Sequence, residues 1–92
     1  MTIKLRFTAQ IKDAAGIGSD SIILFENEKL QSLLRRLPER YGEEFRKILY
    51  DDKGRYHSSN LIVLNEEQVE YDENKSLNNG DELIILSPVS GG

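Results

Sequence analysis

The stretch from Leu30 to Tyr41 places Leu30, Leu33, Leu34, Leu37 and Tyr41 at i, i+3, i+4, i+7 and i+11. An α-helix brings side chains so spaced onto one face, and an apolar face of that width has to be buried against another element. Asn27 stands just ahead of the pattern as the expected N-cap. Pro38 falls inside it, where a proline loses one backbone hydrogen bond and clashes with the turn before it, so a kink or a break into two helices is expected. Phe45, Ile48 and Leu49 carry the apolar face past Gly42 and predict a second short helix over Glu43 to Tyr50.

The rest of the chain supplies strands for that face to pack on. Ile3, Leu5 and Phe7 alternate with Lys4, Arg6 and Thr8, the period of a half-buried strand. Ala9 to Asp20, with Gly16 and Gly18, reads as a connection to a second strand over Ser21 to Phe25, hairpin-paired with the first. After a turn at Asp51-Asp52-Lys53-Gly54 and a polar loop to Asn60, Leu61 to Leu64 has the continuous apolar character of a strand near the middle of a sheet. Val69 and Tyr71 predict a short edge strand. Asn78-Asn79-Gly80 tolerates the positive φ of a turn before the last strand, Glu82 to Leu86. Strand, strand, helix, strand, short strand, strand describes an α+β domain whose one mixed sheet packs on one main helix. The β-grasp fits that order, with the first and last strands side by side in the centre.

Composition narrows the chemistry. The 92 residues, 38% hydrophobic and 30% charged, suffice for one small globular domain with no room for a second, catalytic one. Without cysteine there is no disulfide, thiolate metal site or thiol nucleophile. No apolar run approaches the roughly 18 residues of a membrane span, and residues 1–15 lack the apolar stretch of a secretory signal, so no membrane association and a cytoplasmic location are expected. The net charge of -4 is concentrated. Glu66, Glu67, Glu70, Asp72, Glu73, Asp81 and Glu82 face Lys75 alone, a stretch that repels nucleic acid and suits a basic protein partner, or simply forms a solvated rim.

Self-contained active sites fail one by one. His57 has neither a second histidine nor a cysteine for a metal, so an exposed loop residue is expected and no metal site is assigned. Asp51, Asp52 and Gly54 lack the spacing of a calcium loop, and Gly16-Ile17-Gly18 is followed by Ser21 where a dinucleotide fingerprint needs glycine. The serines have no paired histidine base, and the carboxylates fall on an expected surface without a pocket.

The C-terminus stands apart: Leu86-Ser87-Pro88-Val89-Ser90-Gly91-Gly92 directly follows a strand. Pro88 cannot continue a central strand, so residues 1–86 are expected to form the domain and residues 87–92 a short extended, flexible tail. Two residues without Cβ pass a narrow channel and leave the Gly92 carboxylate open to attack on an activated group. Glycine-rich ends are also often idle, and the residues by themselves leave both readings open.

Gly80-Asp81-Glu82-Leu83, the strand Ile84-Ile85-Leu86 and the tail Ser87 to Gly92 resemble the signature of the MoaD/ThiS family of ubiquitin-like sulfur carriers. Leu61 to Asn65 is similar to the family's apolar strand ending in an Asn turn, Ala14-Ala15-Gly16 to its first loop, and the helix with Leu33, Leu34 and Tyr41 extends the match over nearly the whole chain. The insert Tyr50 to Gly54 is similar to that of MoaD-like small archaeal modifier proteins. Two departures are plain: Ser87 replaces the first proline of the usual pair, and Leu86 stands where many members have Phe.

The resemblance implies a ubiquitin-like β-grasp fold and a reaction at the chain end. An adenylating enzyme of the ubiquitin-activating type, using ATP and magnesium, converts the Gly92 carboxylate to an acyl-adenylate, and a persulfide donor leaves a thiocarboxylate there. In molybdopterin synthase such a tail enters a large subunit and gives sulfur to the pterin precursor of the molybdenum cofactor. On that reading Gly92 reacts, Gly91 gives access, Ser87, Pro88, Val89 and Ser90 dock in the partner, and Leu86 and Val89, if exposed, anchor the contact. The chain is then a non-catalytic, sulfur-donating subunit that binds no cofactor of its own. A modifier joined through Gly92 to target-protein lysines uses the same activation, and a non-covalent β-grasp interaction module is the third reading.

Overall fold

The computed structural model describes residues 1–88. In chain order the elements are β1 (Thr2–Thr8), α1 (Ala9–Ala15), β2 (Ser19–Ile23), α2 (Leu30–Tyr41), α3 (Glu43–Leu49), β3 (Leu61–Leu64), β4 (Glu67–Val69), a 3-10 turn (Tyr71–Glu73) and β5 (Glu82–Leu86). Five strands form one sheet in the order β2-β1-β5-β3-β4. β1 and β5 run parallel at its centre and the other pairs are antiparallel, so the sheet is mixed. This is the ubiquitin-like β-grasp.

The two periodicities meet in the core. Ile3, Leu5 and Phe7 of β1 and Leu83 and Ile85 of β5 point inward from adjacent strands, against Leu30, Leu33, Leu34 and Leu37 of α2, all nearly or wholly inaccessible to solvent. At roughly 1.5–3 kcal/mol for each such side chain, this contact dominates the stability of the fold. Phe45 of α3 closes one end, edge-on to Phe7 with ring centroids 5.4 Å apart.

Several elements depart from the sequence-based expectation, each for a physical reason. Within the expected β1–β2 connection, Ala9–Ala15 is helical: Ile11 is fully buried, and Gly16 closes the helix in the left-handed region (φ 76°), donating its N–H to the Lys12 carbonyl. The second strand begins and ends two residues earlier than expected, leaving Phe25 outside it with its ring under the Arg36 guanidinium at 4.2 Å. Asn27 is not the N-cap. It sits at φ 62° in the preceding turn, and Lys29 occupies the cap position with no side-chain bond. The open N–H groups of the first turn are met from elsewhere in the chain: Leu30 donates to the Lys75 carbonyl and Gln31 to Asn74 Oδ1.

Helix α2 runs through Pro38 to Tyr41, and the break falls at Gly42, whose φ of 104° suits no other residue as well. Beyond it α3 spans nearly the expected residues. Tyr71 belongs to the 3-10 turn and not to the edge strand, which is β4. Among the described residues, no helix is long and apolar enough to cross a membrane.

Glu28, just ahead of α2, is the one buried carboxylate among the described residues. It accepts from Arg36 Nε at 2.7 Å and Arg36 Nη2 at 2.8 Å, from the Phe25 N–H at 3.0 Å and from the Ser32 hydroxyl at 3.1 Å. Burial works to raise its pKa, but the Arg36 ion pair and the other donors outweigh it and hold the carboxyl below its ordinary value.

Candidate functional site

Side chains of a strand alternate between faces, so the partners of the buried β5 residues define a second surface. Ile84 and Leu86 are half-buried on the face of the sheet away from α2. Register joins them sideways: Ile84 lies between Arg6 of β1 and Val63 of β3, and Leu86 between Thr8 and Leu61. Leu61, Val63, Ile84 and Leu86 therefore make a continuous apolar stripe at the end of the sheet where the chain leaves β5, and Leu61 is 43% exposed.

Beside the stripe, an open groove of about 600 Å³ is lined by Arg6, Thr8, Lys12, Gly18, Ile84 and Leu86, with two cations and no carboxylate. The acidic stretch expected to face a basic partner is partly spent on building turns. Glu70 and Glu73 form a reciprocal capping box around the 3-10 turn, while Asp81 accepts from the Asn78 N–H and from Asn65 Nδ2.

The expected tail divides at Ser87. Its side chain belongs to the domain: Ser87 is 7% exposed, its hydroxyl donates to the Thr8 carbonyl at 2.8 Å, and its oxygen accepts the Ile11 N–H at 2.8 Å. The Ser87 side chain is thus turned into the fold. Leu86, expected as an exposed anchor, is half-buried in the stripe, and Pro88 is exposed. Val89, Ser90, Gly91 and Gly92, the remaining residues assigned to docking and reaction, lie outside the described residues.

The other candidate places are poorer. His57 is exposed in its loop, and among the described residues no group of three metal-binding side chains comes together. A cleft of about 390 Å³ that was not foreseen lies between residues 54–62 and residues 68–72, walled by the stacked rings of Tyr56 and Tyr71. Arg35, Arg55, Glu70 and Asp72 all line it, and such mixed charge selects no single ligand class. Tyr56 and Tyr71 stand 15 positions apart in sequence, so no local pattern marks it.

Comparison with known proteins agrees with this geometry. The profile of the ThiS family matches residues 5–92. No curated protein matches the sequence. Among solved structures, SAMP1 from Haloferax volcanii is 20% identical with a TM-score of 0.87, each chain being covered over 100%. Small archaeal modifier protein 1 from Methanosarcina acetivorans is 28% identical with a TM-score of 0.74, over 99% of this chain and 96% of that one. A chain of the complex of subunits 1 and 2 of molybdopterin-converting factor from Helicobacter pylori is 26% identical with a TM-score of 0.65, over 100% of both. The match over residues 5–92, together with the β-grasp sheet whose central β5 leads into a terminal Gly-Gly, makes the chain a member of the ThiS family of ubiquitin-like sulfur carriers and modifiers.

Proposed function

We propose that the chain is a sulfur carrier of MoaD type, acting through its C-terminal carboxylate as the small subunit of a molybdopterin synthase in the cytoplasm. The observation that carries the reading is the apolar stripe Leu61, Val63, Ile84 and Leu86, which adjoins the exit of a segment ending in Gly-Gly. A partner seated on the stripe receives the last residues into its own site, which is the arrangement a substrate-bearing chain end requires. The likeness to a chain of the Helicobacter pylori subunit 1 and 2 complex supports the same partner class.

The chemistry needs nothing from this chain except Gly92 and access to it. A carboxylate oxygen of Gly92 attacks the α-phosphorus of ATP bound with magnesium on the adenylating enzyme, and pyrophosphate leaves. A persulfide sulfur then attacks the acyl-adenylate carbonyl and displaces AMP, and a thiol reduces the acyl disulfide to free the thiocarboxylate. Gly91 leaves the approach to that carbonyl open.

A second reading has its own support in the likeness to the Methanosarcina acetivorans modifier. There the same acyl-adenylate yields to a lysine amine of a target, forming an isopeptide bond at Gly92. Deleting Gly91 and Gly92 tests what the two readings share. Thermal unfolding is expected to be unchanged, and ATP–pyrophosphate exchange with the adenylating enzyme of the same cells is expected to disappear; retained exchange overturns both.

A further inference from the structure

Helix α1 begins without a local cap. Thr8 holds the N-cap position with extended backbone, yet its side chain caps nothing, and Ala9 follows at φ 54°. The N–H of Ile11, the third residue of the helix, is buried and needs an acceptor. Ser87 supplies it from 76 positions away in sequence, and the same hydroxyl returns its proton to the Thr8 carbonyl. One oxygen atom thereby ties the residue after β5 to both sides of the β1–α1 junction.

We infer that Ser87 is a positioning residue for Gly92: its hydroxyl clamps the root of the C-terminal segment onto the start of α1 and fixes where that segment leaves the domain. The functional half of this inference rests on the reading of Gly92 as the reactive end; the clamp itself does not. Gly92 is the fifth residue after Ser87, so the carboxylate reaches at most roughly 16–18 Å from the clamp. Without the clamp the pivot retreats toward Leu86, the arm lengthens by a residue, and a partner must order that residue on binding. Proline at this position, as in the family signature, offers no hydroxyl to either Thr8 or Ile11.

The test compares Ser87→Ala, Ser87→Thr and a control, Asn74→Gly, in the full-length chain. Asn74→Gly removes the acceptor that Asn74 lends to Gln31 at the start of α2, while glycine tolerates the φ of 46° there, so it removes a comparable cap far from the C-terminus in sequence. In Ser87→Ala, amide exchange at Ile11 is expected to speed up by roughly 2- to 30-fold, the equivalent of a lost cap. The 15N order parameter at position 87 is expected to fall from about 0.85 toward 0.6 or below. With the adenylating enzyme and ATP, KM for the Ser87→Ala chain should rise on the order of tenfold with kcat little changed, reflecting one more residue to order. Ser87→Thr should restore all three, and Asn74→Gly should lose thermal stability without moving KM.

Unchanged exchange and order in Ser87→Ala would overturn the clamp. Lost order with KM equal to that of Asn74→Gly would overturn the positioning role. If the wild-type chain is not adenylated at all, the reading of Gly92 falls, and the clamp is decided by exchange and order alone.

Discussion

Replacing Arg36 with alanine strands the Glu28 carboxylate in the interior, and the consequence can be worked from the contacts. The Glu28 side chain is 1% exposed and that of Arg36 20%. Removing one partner of a buried ion pair costs about 3–5 kcal/mol, because the remaining charge is left without compensation. Arg36 lies at the rim, where water enters the vacated space, so the lower end applies, about 3 kcal/mol. For a domain of this size that lowers Tm by roughly 12–24 °C.

The loss should depend on pH. In the wild type the Glu28 pKa lies below its ordinary 4.5, so the pair contributes fully above that pH and its contribution is lost as pH falls through the folded value. In Arg36→Ala, burial acts with less opposition and raises the pKa, so the stranded carboxylate takes up a proton as the solution is acidified and its penalty fades. Urea unfolding at constant ionic strength should find a gap of about 3 kcal/mol between wild type and variant at pH 7, narrowing to about 1 kcal/mol at pH 3, where the lost contact with the Phe25 ring remains. The double variant Glu28→Gln/Arg36→Met should be less destabilised than Arg36→Ala alone. A gap below about 1 kcal/mol at pH 7, or an equal gap at both pH values, would refute the reasoning.

Phe45→Ala should cost about 3–5 kcal/mol in urea unfolding, since the ring is wholly buried against Phe7 and Tyr41 and its removal leaves a cavity. Ile84→Asp should leave unfolding within about 1 kcal/mol of wild type, because the side chain is only half-buried, while abolishing capture of the large synthase subunit in a pull-down. Burial raises the pKa of Tyr41, Tyr50 and Tyr56, reinforced at Tyr41 by its bond to Asp20 and at Tyr50 by Tyr71. Folding thus favours the neutral phenols, and the stability they confer is complete below the ordinary pKa of 10 and lost as pH rises beyond it. The tyrosinate absorbance of these three of the four tyrosines should accordingly rise together with unfolding instead of before it.

What could be read without the structure follows from the range of the interactions. The Leu30 to Leu37 spacing and the alternation in Ile3, Leu5 and Phe7 are local signals, and they suffice for α2 and β1, while the central pairing of first and last strands follows from the β-grasp order of the elements. Helix α1 is not legible in the sequence because seven residues with one fully buried side chain make too short a period beside two glycines. The local rule of an adjacent capping side chain points to Asn27 for α2, whereas the structure caps that end with Asn74, 43 positions away from Gln31. Nothing local ties Ser87 to the domain, since its two partners lie nearly the length of the chain away. The apolar stripe needed register: Leu61 and Leu86 are neighbours only through the β3–β5 pairing, and a run such as Leu61 to Leu64 does not disclose which residues face out.

The most direct test of the account weighs the chain itself. Intact-protein mass spectrometry of material purified from its native cells should show a population in which one oxygen is exchanged for sulfur, and that population should vanish when Gly91 and Gly92 are deleted. Because Lys75 is the last basic residue, a modifier would instead leave the branch Ser76 to Gly92 on target lysines after trypsin, a remnant that searches for a short Gly-Gly tag miss. An unaltered terminus and no such branch, with the adenylating enzyme and ATP present, would contradict the claim that Gly92 is the working end of this protein.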